Sequence, residues 1–124
     1  MEKIILFDVK DAKKINKIAS QMRIKVYEVN PMECGGTLQD IVDGKKIQTI
    51  SSTIVPSKGL MLMCDVTQKH MDKLLFAVKR DNLDVGYKAI LTKTNAKWSL
   101  AQMLLHMEME EKSFLFKHIK EVPL

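Results

Sequence analysis

Two kinds of apolar pattern alternate along the chain. Ile4-Ile5-Leu6-Phe7 and Leu60-Met61-Leu62-Met63-Cys64 are unbroken apolar runs of strand length. Runs this short, bounded by polar and turn residues, predict strands buried on both faces. Each is followed by helical spacing. Ala12, Ile15, Ile18, Ala19 and Met22 fall on one side of a helix, with Asp8 and Asp11 ahead of it as candidate caps and Lys13, Lys14 and Lys17 elsewhere on the wheel. After the second run, Thr67 precedes a helix whose apolar positions are Met71, Leu74, Leu75 and Val78. Each helix gives way to a more mixed strand, Ile24 to Val29 and then Val85 to Thr92. In the latter, Val85, Tyr87, Ala89 and Leu91 alternate with Gly86, Lys88, Ile90 and Thr92, as in a strand with unlike faces.

The two stretches repeat one another. Leu6-Phe7-Asp8-Val9 is matched by Met63-Cys64-Asp65-Val66, and Tyr27 by Tyr87. Two tandem β-α-β units, over residues 3–30 and 59–92, predict an α+β fold: a ferredoxin-like βαββαβ sandwich with its first and third strands in the centre. A C-terminal helix over residues 99–119 is added. It opens on the capping box Ser99-Leu100-Ala101-Gln102 and carries Leu100, Met103, Leu104 and Met107 on one face, with Phe114, Leu115, Phe116 and Ile119 further on. Residues 1–124 read as a single domain.

The connection over residues 31–58 is less regular. Asn30-Pro31 ends the second strand and Gly35-Gly36 mark a turn. Thr37-Leu38-Gln39-Asp40 resembles a capping box opening a short helix through Val42, closed by Gly44, and Ile47 to Ile50 form a candidate minor strand.

A ferredoxin-like sheet carries both helices on one face, yet the two central runs are apolar on both. The second face therefore needs a cover, either the C-terminal helix or a second copy of the chain. On this ground a homodimer or larger assembly is the expected partner.

Composition narrows the function classes. The chain has 124 residues, 46% apolar and 28% charged, the balance of a globular protein. No apolar run approaches the roughly 20 residues of a membrane span, so no membrane partner is expected. Met1-Glu2-Lys3 leads directly into a strand without a leader pattern, and the two cysteines, Cys34 and Cys64, have no metal or redox spacing. Both thiols read as reduced and the location as cytoplasmic. The net charge of +5 admits an anionic partner. However, the third strand holds leucine and methionine where an RNA-recognition module places its stacking aromatics, which argues against nucleic acid.

Candidate chemistry is sparse. No nucleophile elbow, phosphate-binding loop or paired-carboxylate pattern is present, so no catalytic residue, cofactor or metal is assigned and an enzyme is unsupported. His106 and Glu110 lie one helical turn apart without a third metal ligand, and Glu108 with Lys112 reads as an ordinary ion pair. Cys34, ahead of Gly35-Gly36-Thr37, is a candidate reactive thiol, because a helix N-terminus lowers a thiol pKa. The most distinctive stretch runs from Lys88 to Ser99 and holds the single tryptophan. Two readings fit it. Lys88, Thr92, Thr94 and Asn95 line a small-molecule pocket with Trp98 as its lid. Alternatively, Asn95 shapes a turn, Ser99 caps the last helix and Trp98 plugs the core.

The same stretch carries a family resemblance. KAILTKTNAKW followed by SLAQMLLHMEMEE resembles the K-A-x-L-T-x-T-N-x-x-W-[TS]-L hallmark of a small bacterial family described only as a domain of unknown function. The pattern is filled by Lys88, Ala89, Leu91, Thr92, Thr94, Asn95, Trp98, Ser99 and Leu100, with Lys93 where many members have proline. The resemblance reaches back through Gly59 and implies no activity. The function expected from all of this is a non-catalytic regulatory or interaction module, acting by self-association or by binding a small ligand. An enzyme using the segment around Cys34 together with Lys88 to Trp98, and a nucleic-acid-binding module, are the alternatives.

Overall fold

The two unbroken apolar runs lie side by side. The computed structural model describes residues 1–29, 37–45 and 58–120, with side chains through Lys112. In it β1 (Lys3–Phe7) and β3 (Leu60–Cys64) are the antiparallel centre of a four-stranded sheet. β2 (Lys25–Glu28) pairs parallel with β1, β4 (Tyr87–Ile90) pairs parallel with β3, and the order is β2-β1-β3-β4. The α+β class and the central place of the first and third strands are as predicted. The order is not that of a ferredoxin-like sheet. There another strand separates the two joined by each helix, whereas here each helix joins direct neighbours. An apolar run shows that a strand is central and covered. It does not say whether the strand after the helix docks alongside or one place over.

Helices cover both faces. Ile4, Leu6, Met61 and Met63 share one core with Ile15 and Ala19 of α1 (Ala12–Gln21) and Leu74 and Val78 of α3 (Gln68–Arg80). Ile5, Phe7, Leu60, Leu62 and Cys64 share the other with Leu38 and Ile41 of α2 (Leu38–Val42) and Leu100, Met103 and Leu104 of α4 (Leu100–Lys120). This is why β1 and β3 lack polar positions past Lys3: neither side meets water. The cover that the sequence left open between a helix and a second copy is supplied within the chain by α2 and α4.

The repeat extends to backbone detail. Asp8 and Asp65, each just past its strand, take positive φ of 49° and 55°. Arg23 and Asn82, each just past its helix, take 58° and 50°. Both helices end the same way. The Ile24 N–H donates to the Ala19 carbonyl at 2.9 Å and the Leu83 N–H to the Val78 carbonyl at 2.9 Å, the long-range bond of a Schellman stop, with buried Ile24 and Leu83 as its apolar clasp. The alignment that sets Phe7 on Cys64 sets Ile5 on Leu62, and these two residues face each other across the β1–β3 pair. An approximate two-fold axis therefore passes through the sheet between them.

Most caps follow the sequence. The Thr37 hydroxyl accepts from the Asp40 N–H at 3.1 Å, and the Thr67 hydroxyl from the His70 N–H at 3.3 Å. Ser99 and Gln102 form the reciprocal box, with the Ser99 N–H donating to Gln102 Oε1 at 2.8 Å and the Gln102 N–H to Ser99 Oγ at 3.1 Å. Asp11 occupies the N-cap of α1, but its carboxylate is used elsewhere, as described below. The alternation expected over Val85 to Thr92 breaks at Gly86. Its left-handed φ of 68° turns Val85 into the α1–α3 core while Tyr87, Ala89 and Leu91 pack toward α4. Cys34, the Gly35-Gly36 turn and the minor strand expected at Ile47 to Ile50 lie outside the described residues. No helix among the described residues is long and apolar enough to cross a membrane.

Candidate functional site

The distinctive segment after β4 is built as a connection. Asn95 is buried at 7% exposure, and its amide closes the turn from both sides. Its Oδ1 accepts from the Thr92 N–H at 2.8 Å and its Nδ2 donates to the Ile90 carbonyl at 2.9 Å, while the Asn95 N–H donates to the Thr92 hydroxyl at 3.1 Å. With both ends of the amide engaged by backbone, Asn95 has little left to offer a ligand. A short helical turn, Asn95–Lys97, then delivers Trp98 against the α4 core, where its ring lies 4.8 Å from that of His106. The Trp98 carbonyl accepts the Leu38 N–H at 2.8 Å, tying α2 to the start of α4. Thr92 and Thr94 face solvent.

Lys88 is elsewhere. It lies opposite Met61 in the β3–β4 register, so it is on the α1–α3 side of the sheet, away from Trp98. The structure therefore sets Lys88 on the face of the sheet away from Trp98, and the cleft that Lys88 lines includes none of Thr92, Thr94, Asn95 and Trp98. What it brings to Lys88 instead is a polar cleft of about 360 Å³ where β1 ends and β3 and β4 begin. Asp8, Lys10, Lys58 and Asp84 line the cleft with Lys88, and Leu83, Val85 and the Gly86 backbone complete it.

Close backbone packing shapes this end of the sheet. A Cβ on Gly59 would fall 2.4 Å from the Asp8 carbonyl oxygen, and one on Gly86 2.3 Å from the Gly59 carbonyl oxygen. Three segments thus stack without side chains between them. The loop ahead of β4 is pinned from α1: the Asp84 N–H donates to the Asp11 carboxylate at 2.6 Å, and the Asp11 N–H to the Asp84 carbonyl at 3.2 Å. The Asp84 carboxylate in turn takes the Gly86 N–H at 3.3 Å and approaches Lys10 at 3.9 Å. Lys58 pairs with Glu111 on α4 and sits 5.7 Å from the Tyr87 ring. Their hydrogen bond raises the Lys58 pKa and lowers that of Glu111.

Two charged groups of the cleft are left over. Among the described residues, neither the Asp8 carboxylate nor the Lys88 ammonium has a hydrogen bond or ion pair, and both are exposed. Sequence reasoning found Lys88 and missed Asp8, Lys10, Lys58 and Asp84, which converge only through the sheet. The available signal was the glycine directly ahead of each strand of the second unit, Gly59 and Gly86.

Other chemistry is occupied or shielded. Burial pushes the Cys64 thiol up to about 12, so it is neutral at physiological pH and packs as a small core residue. His70 Nδ1 lies 2.7 Å from the Glu2 carboxylate, which also accepts the Thr67 N–H at 3.0 Å. His106 Nε2 meets Glu110 at 3.0 Å on the solvent side of α4, and Glu108 pairs with Lys112 at 3.2 Å. Among the described residues no three of His, Cys, Asp or Glu gather as a metal site.

With this geometry in hand, comparison with known proteins bears on the second unit. Residues 59–114 match the model of a domain of unknown function (DUF3783). The DUF3783 segment takes in β3, α3, β4, the Asn95 turn and much of α4, and it leaves the first unit outside. An uncharacterised domain family is what the resemblance in this region named. The segment contains Lys58's neighbour Gly59 and the Lys88 and Asp84 side of the cleft, while Asp8 and Lys10 come from the first unit. Neither curated proteins nor solved structures gave a match.

Proposed function

We propose that the chain is a non-catalytic binding module that holds a small charged ligand in the cleft around Lys88. The observation that carries this reading is the pair of uncommitted opposite charges, Asp8 and Lys88, in one cleft whose other ionic groups are already paired. A volume of about 360 Å³ is within the range of small-molecule sites, and Leu83, Val85 and the Gly86 backbone complete the lining. Both units contribute, so a ligand here would bridge them. Self-association was expected because a sheet face needed covering, and α2 with α4 now meet that need. The charged edge positions Lys25, Glu28 and Lys88 also discourage a further strand from docking.

A thermal-shift screen of small charged metabolites on the full chain, repeated on Lys88→Ala, tests the reading. A compound that raises the melting temperature of the parent and leaves that of Lys88→Ala unchanged supports it. Lys88 is exposed on an edge strand, so the variant keeps its fold. Hits that stabilise parent and variant alike would place binding elsewhere and overturn it.

A further inference from the structure

We infer that the ligand is a small zwitterion, held with its cationic group against Asp8 and its anionic group against Lys88. This rests on the binding reading above and goes further by naming the charge pattern of the ligand. Three lysines and two aspartates line the cleft, and of these Lys58 turns its ammonium away to Glu111. A simple anion approaching Lys88 meets the Asp8 and Asp84 carboxylates as well, and a simple cation approaching Asp8 meets Lys10 and Lys88. A molecule of one sign is repelled by part of the wall whichever way it turns, whereas one carrying both signs is complementary to it.

The bonding inside the cleft decides which groups are free to serve. The Asp84 carboxylate holds the Gly86 N–H and faces Lys10, which fixes the loop ahead of β4. Lys58 is held by Glu111 and Tyr87 on the far side of the sheet. Asp8 and Lys88 are what remains, one from each unit and of opposite sign. The Asp8 backbone is also held in place. It sits in the left-handed region at φ 49°, and its carbonyl is packed against Gly59. The repeat-equivalent Asp65 shares this conformation, so the turn belongs to the fold, and only the Asp8 copy lines the cleft.

The test uses the full-length chain, labelled for amide NMR, and a ruler of ω-amino acids: glycine, γ-aminobutyrate and ε-aminocaproate. Each is compared with its N-acetyl and its carboxamide derivative. At least one length is expected to shift the amides of Asp8, Gly86 and Lys88, with affinity lost about tenfold or more when either charge is blocked, since each removes one charge-assisted hydrogen bond. Asp8→Asn, which keeps a residue tolerant of positive φ, is expected to weaken the free zwitterion about tenfold and to leave the N-acetyl form unchanged. Lys88→Gln is expected to weaken the zwitterion likewise and to leave the carboxamide unchanged. If the N-acetyl compound binds as well as the zwitterion, the cleft is an anion site: the inference falls and the binding reading stands. If no length shifts the cleft amides the inference also falls, and the metabolite screen judges the broader reading by itself.

Discussion

Asn95 concentrates the ambiguity of the sequence into one side chain. Asparagine beside threonines is what a polar pocket would use, and equally what a turn would use, and only the destinations of the amide decide. Both are backbone groups of the same connection. Asn95→Ala leaves the Thr92 N–H and the Ile90 carbonyl without their partner and is expected to cost about 2 kcal/mol in urea unfolding; a ligand residue in its place would have left the midpoint unmoved. Glycines at positive φ are a second case. Gly86→Ala adds a Cβ 2.3 Å from a backbone oxygen at a positive φ, so about 3 kcal/mol or more is expected. Gly44→Ala, also at positive φ but with open space around it, is expected to cost about 1 kcal/mol. The same unfolding series checks both. Just ahead of the central strand β1, Glu2 has its pKa lowered by the Thr67 N–H and then by His70. A carboxylate depressed in the folded state contributes stability above its ordinary range, and that contribution disappears as pH falls through the folded value. Stability of the parent is therefore expected to fall more steeply than that of Glu2→Gln below the usual glutamate range, as followed by thermal melts across acid pH.

Among the elements, what the sequence revealed depends on how local the cause is. Strands β1 and β3, the apolar faces of α1, α3 and α4, and the caps at Thr37, Thr67 and Ser99 were all legible, because each follows from spacing or from a side chain bonding its own turn. Asp11 misled as a cap, since the choice between its own helix and the loop at Asp84 is made by tertiary contact. The strand order was not legible for the same reason. Nor was the separation of Lys88 from Asn95, which depends on the pleat of β4 and on the break in alternation at Gly86. The cleft itself comes from residues far apart in sequence, and no spacing rule links Asp8 to Lys88. Helix α4 offers a direct check on its own role. Leu100→Ala, at a fully buried position, is expected to cost about 2–5 kcal/mol, whereas Leu105→Ala, on the exposed side of the same helix, is expected to stay within about 0.5 kcal/mol. Equal losses would mean that α4 does not cover the sheet by the face described.

For the molecule as a whole, the approximate two-fold axis between Ile5 and Leu62 organises everything on the α1–α3 side, where each unit supplies an equivalent helix. The other side breaks the symmetry. Residues of both units around the axis, Ile5 and Phe7 with Leu62 and Cys64, share one core with α4. A helix lying over such an axis cannot be given to both halves, because its symmetry mate would have to occupy the same space. Among the described residues the first unit accordingly carries no counterpart of α4, and the short α2 shares its core. The duplication is complete on one face of the sheet and excluded on the other. A chain built by doubling the second unit in full would have one tryptophan-anchored helix too many, left with no apolar surface to cover.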